Sequence, residues 1–185
     1  MIVNTQKRTK YKNRSRRLQN RVFSLSYYLV FRSLISLNAQ ENLKRMEPLM
    51  GKTWSAEGNW GDGSKFKQEI TFSYGLDSTL VIANSKGYTN KKQTKYGHRN
   101  HGIRKYDAAS DSYKFWEFDV FGGVTQGSMI FEEKNMFYQY VYGKDTITDA
   151  WEYVDPNTYN FKVGRYENGM WKQVYLETQF QSKAH

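Results

Sequence analysis

Two acidic residues on one predicted strand have the types and spacing that acid–base chemistry needs. Glu117 and Asp119 occupy alternate positions in the run 113–121, and alternate residues of a β-strand lie on the same face. Neighbouring carboxyl groups can divide the roles of general acid and general base, as an isomerase or a hydrolase would require. A solvated or arginine-paired carboxylate is the commoner role for such residues. We therefore keep an acid–base enzyme as a hypothesis and assign no catalytic residue.

A wider set of polar residues alternates with aromatic residues and could orient a bound molecule. A few polar groups in an aromatic cavity are typical of sites for amphipathic ligands. The ligand-binding candidates are the same two acids together with Arg104, Gln139, Arg165 and Tyr175, while Gln68 and Glu177 show the same alternation. Arg104 or Arg165 would pair with an acidic head group. A shift of one residue inverts a strand, so the sequence leaves open which of these face inward.

Several other kinds of site lack the residues they need. The chain has no cysteine and three histidines, of which His98 and His101 flank one predicted loop and His185 is terminal. Thiolate chemistry, disulfides and cysteine-based zinc sites are therefore excluded. The sequence also contains no nucleophile elbow, phosphate-binding loop or dinucleotide fingerprint. We expect no metal site, and binding is favoured over catalysis.

The stretch from Tyr113 to Phe180 supplies the elements that must position these side chains. It predicts six consecutive strands separated by turn residues, among them Gly122-Gly123 and Asn168-Gly169. Asn-Gly suits a tight hairpin because both turn residues must accept a positive φ. The predicted strands are 113–121, 125–132, 136–142, 146–154, 159–166 and 170–180. Consecutive hairpins make an antiparallel meander.

Four further strands are predicted before this stretch. A short helix leads into the first, which runs to Gly58, and the second, 66–74, alternates clearly between apolar and polar residues. The third and fourth cover 79–84 and 101–107, with the polar segment 85–100 between them predicted as a mobile loop. About ten antiparallel strands favour closure into an up-and-down barrel, because an open sheet would leave exposed edges. A barrel of more than eight strands has room for a ligand.

Basic residues are concentrated before the predicted barrel. Residues 1–47 hold eleven Lys and Arg against two Glu, whereas residues 48–185 hold seventeen basic and sixteen acidic residues. The nearly neutral second part lacks the clustered positive surface that nucleic-acid binding requires, so no nucleic-acid partner is expected.

The segment 1–39 has the order of a secretory signal peptide. A basic region precedes the largely apolar run 22–37, and cleavage is predicted after Ala39. This predicts an exported protein, periplasmic or secreted, with one barrel domain over 40–185. The alternative is a disordered basic tail on a cytoplasmic protein. The apolar run is shorter than the roughly 18 uncharged residues of a spanning helix, so no membrane span is expected in the mature form.

The start of the predicted barrel resembles known families. Gly51-Lys-Thr-Trp54 resembles the Gly and Trp that open calycin-type barrels such as lipocalins, and Trp54-Ser-Ala-Glu-Gly58 is similar to the first strand of nitrobindin-like barrels. Uncharacterised bacterial domain families of this superfamily are similar to the later runs 102–107, 113–119, 122–127 and 171–180. The resemblance implies a calycin-like barrel with structural roles for Gly51, Trp54 and Gly58, and the hairpin turn predicts structural roles for Asn168 and Gly169.

The resemblance also bears on cofactors. Nitrobindin-like proteins bind haem through a late histidine, and this chain has no histidine between His101 and His185. We therefore expect no cofactor. The sequence predicts a non-enzymatic barrel, monomeric or homodimeric, that binds a small apolar or amphipathic molecule. The alternatives are the acid–base enzyme using Glu117 or Asp119, and a filled barrel that acts as a protein-interaction module through exposed aromatic residues.

Overall fold

The computed structural model describes residues 41–184, with side chains described to residue 183. A short 3₁₀ helix, Lys44–Leu49, precedes ten strands. The strands are β1 (Lys52–Asn59), β2 (Lys65–Gly75), β3 (Leu80–Tyr88), β4 (Tyr96–Asp107), β5 (Ser112–Asp119), β6 (Val124–Glu132), β7 (Asn135–Tyr142), β8 (Asp145–Asp155), β9 (Thr158–Glu167) and β10 (Met170–Ala184). The predicted signal peptide, its cleavage point and the tail 1–39 lie outside the described residues.

The ten strands form one closed antiparallel barrel. Each strand pairs with its neighbours in sequence, and β1 closes the barrel against β10 through four residue pairs, from Lys52 with Ala184 to Ser55 with Gln181. This confirms the predicted antiparallel up-and-down barrel of about ten strands and the short helix before the first strand. At Asn168 and Gly169 the predicted hairpin turn has φ values of 53° and 76°, as a tight turn requires.

The prediction of a long loop over 85–100 is wrong. Strand β3 continues to Tyr88 and β4 begins at Tyr96, so only 89–95 connect them. The Asn90 side chain accepts hydrogen bonds from the backbone of Thr94 and Lys95, at 3.0 and 2.9 Å, and so orders this turn. The segment is polar because many of its side chains face solvent, whereas the barrel requires its backbone to pair.

Aromatic side chains fill the part of the barrel nearer the 3₁₀ helix. Trp54, Trp151 and Phe180 are buried, and the rings of Trp151 and Phe180 stack with centroids 4.3 Å apart. On β7 the inward residues are Tyr138 and Tyr140, while Phe137 lies on the outer face and stacks on Tyr166 at 5.6 Å. Stacked and edge-to-face rings stabilise a core beyond the area they bury.

The 3₁₀ helix closes one end of the barrel. Leu43, Met46 and Leu49 are almost fully buried. The indole of Trp54 donates a 3.1 Å hydrogen bond to the Leu49 carbonyl, and the hydroxyl of Tyr113 donates one of 3.2 Å to the Asn42 carbonyl. At the opposite end, the described residues form only the hairpin turns after β1, β3, β5, β7 and β9. Among the described residues, only this end of the barrel has no helix across it.

Candidate ligand-binding site

Two spaces lie inside the barrel on the side of the open end. We call the deeper one the inner chamber; it has a volume of about 110 Å³. The outer one, the vestibule, has a volume of about 690 Å³. The inner chamber is lined by Gln68, Ile70, Phe72, Ser85, Asn100, Arg104, Phe115, Glu117, Tyr138, Asp149, Trp151 and Phe161. The vestibule is lined by Trp60, Asp62, Arg99, Thr125, Tyr140, Tyr142, Asp145, Ile147, Val163 and Tyr175.

Strand geometry stacks the vestibule directly on the inner chamber. On β8, Asp149 lines the chamber and Ile147 lines the vestibule. On β9, Phe161 lines the chamber and Val163 lines the vestibule. Residues two apart on a strand are about 6.6 Å apart along one face. The two spaces are therefore successive layers along the barrel axis, with the chamber nearer the closed end.

An ion pair crosses one wall of the inner chamber. The guanidinium of Arg104 bonds to the carboxylate of Glu117 through Nη2, and its Nε lies 3.4 Å from the hydroxyl of Tyr138. Both charged groups lie over the backbone of Gly102, where an added Cβ would overlap Arg104 Nη1 and the Glu117 carboxylate. Gly102 is therefore the residue that leaves room for this pair.

A second carboxyl group faces the chamber from the opposite wall. Asp149 on β8 accepts a 3.0 Å hydrogen bond from the hydroxyl of Tyr140, which lines the vestibule. Burial raises the pKa of Asp149 to about 7, and the negative charge of Glu117 acts in the same direction, while the Tyr140 hydrogen bond and Arg104 oppose the rise. A carboxyl group with this pKa can exchange a proton with a bound molecule near neutral pH.

Three polar atoms at the chamber wall have no hydrogen-bond partner among the described residues. They are Ser85 Oγ, Asn100 Oδ1 and Arg104 Nη1. Ser85 and Arg104 are only 2% and 4% exposed, and Ser85 pairs with Asn100 across β3 and β4. A buried polar group without a hydrogen-bond partner destabilises the folded state. These atoms therefore indicate a binding site for a polar group.

The residues proposed from the sequence are distributed over several separate places. Arg104, Glu117 and Gln68 line the inner chamber, and Tyr175 lines the vestibule. Arg165 lies near the rim, where it pairs with Glu167 at 2.9 Å and with Asp145 at 3.7 Å. Gln139 lines a shallow depression on the outer wall, and the Asp119 carboxylate accepts hydrogen bonds from the turn amides of Phe121 and Gly123. Glu177 is exposed and lies near Lys162.

Sequence reasoning missed Asp149, Ser85, Asn100 and Gly102. A signal for Asp149 was present, because it is the polar residue in the apolar alternation of Ile147, Asp149 and Trp151. That period-two pattern predicts an inward acid on a buried strand. The other two polar residues fell within the segment predicted as a loop or at its end, and the role of Gly102 depends on contacts between β4 and β5.

The charges of the chamber nearly cancel. Arg104 already has the carboxylate of Glu117 as its partner, and Asp149 adds a negative charge only when it ionises. Both arginines expected to meet an acidic head group thus carry carboxylate partners of this chain. The described residues contain no cluster of three or more His, Asp or Glu side chains that could hold a metal ion.

No family model matches this chain, and no curated protein matches its sequence. Membership of a lipocalin, nitrobindin-like or bacterial domain family therefore stays a prediction. Among solved structures, an S-type phycobiliprotein lyase from Guillardia theta superposes with a TM-score of 0.43 at 10% identity, covering 77% of this chain and 94% of the lyase. Within residues 41–184, no helix has the length and apolar character needed to cross a membrane.

Proposed function

We propose that this protein is a non-enzymatic carrier that binds a small amphipathic molecule through the open end of its barrel. The observation that carries the proposal is the stacking of the vestibule on a polar chamber in a barrel whose other end is closed by a helix. The vestibule volume, about 690 Å³, lies in the range of about 300–1,000 Å³ that small-molecule sites occupy. The chamber is too small for a whole ligand of this kind.

The lining of the vestibule suits the apolar body of such a ligand. Trp60, Tyr140, Tyr142 and Tyr175 supply aromatic surface, and the aliphatic Ile147 and Val163 lie deeper. Removing apolar surface from water stabilises a complex by about 25 cal/mol per Å². The polar chamber lies beneath this layer. A ligand that enters with its polar group first therefore places that group in the chamber and its apolar body in the vestibule.

A ring introduced into the vestibule tests the proposal. The probe is Nile red, a neutral dye that fluoresces more strongly in apolar surroundings. Thr125→Trp places an indole in the vestibule, whereas Thr146→Trp places the same ring on the outer wall, where Thr146 lines the depression on the opposite face of β8. We expect dye binding to the natural chain and to Thr146→Trp, and a loss of about tenfold or more in affinity for Thr125→Trp. Equal binding by both variants would exclude the vestibule as the site.

We also propose that the chain is exported and that the segment 1–39 is removed. The support is the basic, apolar and small-residue order of that segment. The mass of the protein, purified after expression from the full sequence, tests this under denaturing conditions. A mass that corresponds to a start at Gln40 supports export. An intact chain argues for the basic-tail alternative.

A further inference from the structure

We infer that the inner chamber binds the ligand's head group, and that it selects an uncharged group that both donates and accepts hydrogen bonds, of which a primary amide is the simplest. The inference rests on the proposed binding function and specifies the chemical class of the ligand. It changes the expectation from the sequence, which was an acidic head group on an arginine.

The charges that face the chamber disfavour a carboxylate. The positive charge of Arg104 is already matched by Glu117 on the neighbouring strand. A carboxylate from a ligand would enter beside Glu117 and Asp149 and add a like charge in a space with little water. The side chains of Arg104 and Glu117 are 5% and 19% exposed, so the ion pair is largely buried. Arg104 therefore gains little from a second anion.

At mildly acidic pH the chamber also has no net negative charge that would attract an ammonium group. Asp149 is then mostly protonated, since burial raises its pKa to about 7. The groups that face it are Tyr140 on the adjacent strand, together with Glu117, Arg104 and Tyr138 across the chamber. With Asp149 neutral, the chamber carries a balanced pair, and either charged head group would lose its hydration without a free counter-charge.

The unpartnered atoms of the chamber match a primary amide. Arg104 Nη1 and the Ser85 hydroxyl can donate to an amide carbonyl, and Asn100 Oδ1 can accept from the amide nitrogen. Ser85 and Asn100 are paired across β3 and β4, and Arg104 Nη1 reaches back over Gly102, the next inward residue of β4 after Asn100. One small group could therefore reach all three. A volume of about 110 Å³ admits a head group of a few atoms and leaves the body in the vestibule.

Three eight-carbon ligands that differ only in the head group test the inference. Octanamide, octanoate and octylammonium are titrated into the full chain at pH 6 by isothermal titration calorimetry. We expect octanamide to bind about tenfold or more tightly than either ion, because only the ions lose hydration without a counter-charge. Equal affinities would overturn the head-group inference and leave vestibule binding intact. Tightest binding of octanoate would overturn it in favour of an anion site, and no binding at all would count against the proposed function itself.

A pair of hydroxyl deletions locates the head group. Ser85→Ala removes a donor at the chamber wall. Thr148→Val removes another buried, unpartnered hydroxyl that alternates with Asp149 and so lies on the opposite face of β8. We expect Ser85→Ala to weaken octanamide binding by about threefold to tenfold and to leave octylammonium nearly unchanged, while Thr148→Val changes neither. Equal effects of the two variants, or no effect of Ser85→Ala, would show that the head group does not reach the chamber.

Discussion

At the scale of single residues, Gly102 leaves room for the ion pair of Arg104 and Glu117 by having no side chain. Gly102→Ala would drive a methyl group into Arg104 Nη1 and the Glu117 carboxylate. The methyl group must therefore displace this largely buried ion pair from its position. We expect the variant to lose about 1–3 kcal/mol of unfolding free energy, which is typical of overpacking. Urea denaturation measures the loss.

The same strand provides a matched control for this substitution. Gly97 also lies on β4, where a Cβ would meet only Thr89 Cγ2 at an ordinary 3.7 Å. Gly97→Ala should therefore change the unfolding free energy by less than about 0.5 kcal/mol. If the two variants unfold at the same urea concentration, the close approach of the ion pair to Gly102 does not limit stability.

Asp149 makes the stability of the barrel depend on pH. Its folded-state pKa, about 7, lies above the ordinary value of 3.8. Between these values the folded chain holds a proton that the unfolded chain has released, so the unfolding free energy falls as pH rises from about 4 to 7. Each pKa unit contributes about 1.4 kcal/mol, which gives a decrease of roughly 4 kcal/mol at most.

Asp149→Asn should abolish that decrease, because the amide stays neutral and can still accept the Tyr140 hydrogen bond. Urea denaturation at pH 5 and pH 8 compares the two proteins, and we expect the variant to be the more stable at pH 8. Asp107→Asn is a control of opposite sign, since a hydrogen bond from the Ser110 hydroxyl lowers the pKa of Asp107. Asp107→Asn should lower the unfolding free energy at pH values above the pKa of Asp107. Parallel pH profiles for the natural chain and Asp149→Asn would contradict the role of Asp149.

At the scale of elements, the 3₁₀ helix is what closes the barrel at one end. Leu49 is 1% exposed and its carbonyl accepts the Trp54 hydrogen bond. Leu49→Ala should cost about 2–5 kcal/mol of unfolding free energy, because it leaves a cavity at the closed end. Leu76→Ala, at an exposed turn residue, should cost almost nothing. Thermal unfolding compares the two, and equal melting temperatures would show that the helix contributes little to the core.

The element pattern was largely predictable from the sequence, and the exception has a physical cause. Strands with one apolar face, such as β2 with Ile70 and Phe72, show period-two alternation, and β2 was predicted within one residue at each end. The facing ends of β3 and β4 carry polar outward residues and glycines, so their sequence lacks that alternation. Their pairing follows from closure of the barrel, which no local pattern records.

The candidate site was less predictable than the strands that carry it. Arg104 and Glu117 were singled out because they alternate with aromatic residues, but their pairing with each other depends on the register of β4 against β5. Gln139 alternates with aromatic residues in the same way and lies on the outer wall. A period-two pattern identifies two faces, and only packing across strands decides which of them is inside.

At the scale of the whole molecule, closure of the barrel depends largely on a short segment. Four residue pairs join β1 to β10, and their β10 members are residues 181–184. A chain that ends at Phe180 would keep the pairing of β10 with β9 over most of its length. It would nevertheless leave the first half of β1, residues 52–55, with an unpaired edge, while the Glu57 and Gly61 backbone keeps its hydrogen bonds to β10. Unpaired edges are templates for association with other chains.

We therefore expect the chain truncated after Phe180 to self-associate, because the exposed edges of β1 and β10 can each pair with a second copy. Light scattering during size-exclusion chromatography measures the oligomeric mass. Truncation after Lys183 is the control, because it keeps three of the four closing pairs, those of Thr53, Trp54 and Ser55, and should match the full chain in oligomeric state. The chain truncated after Phe180 should also bind Nile red more weakly, since the vestibule wall includes residues at the seam between β1 and β10. Trp60, in the turn between β1 and β2, and Tyr175 on β10 are two of them. A truncated chain that kept the oligomeric state and dye affinity of the full chain would show that the barrel does not need this seam.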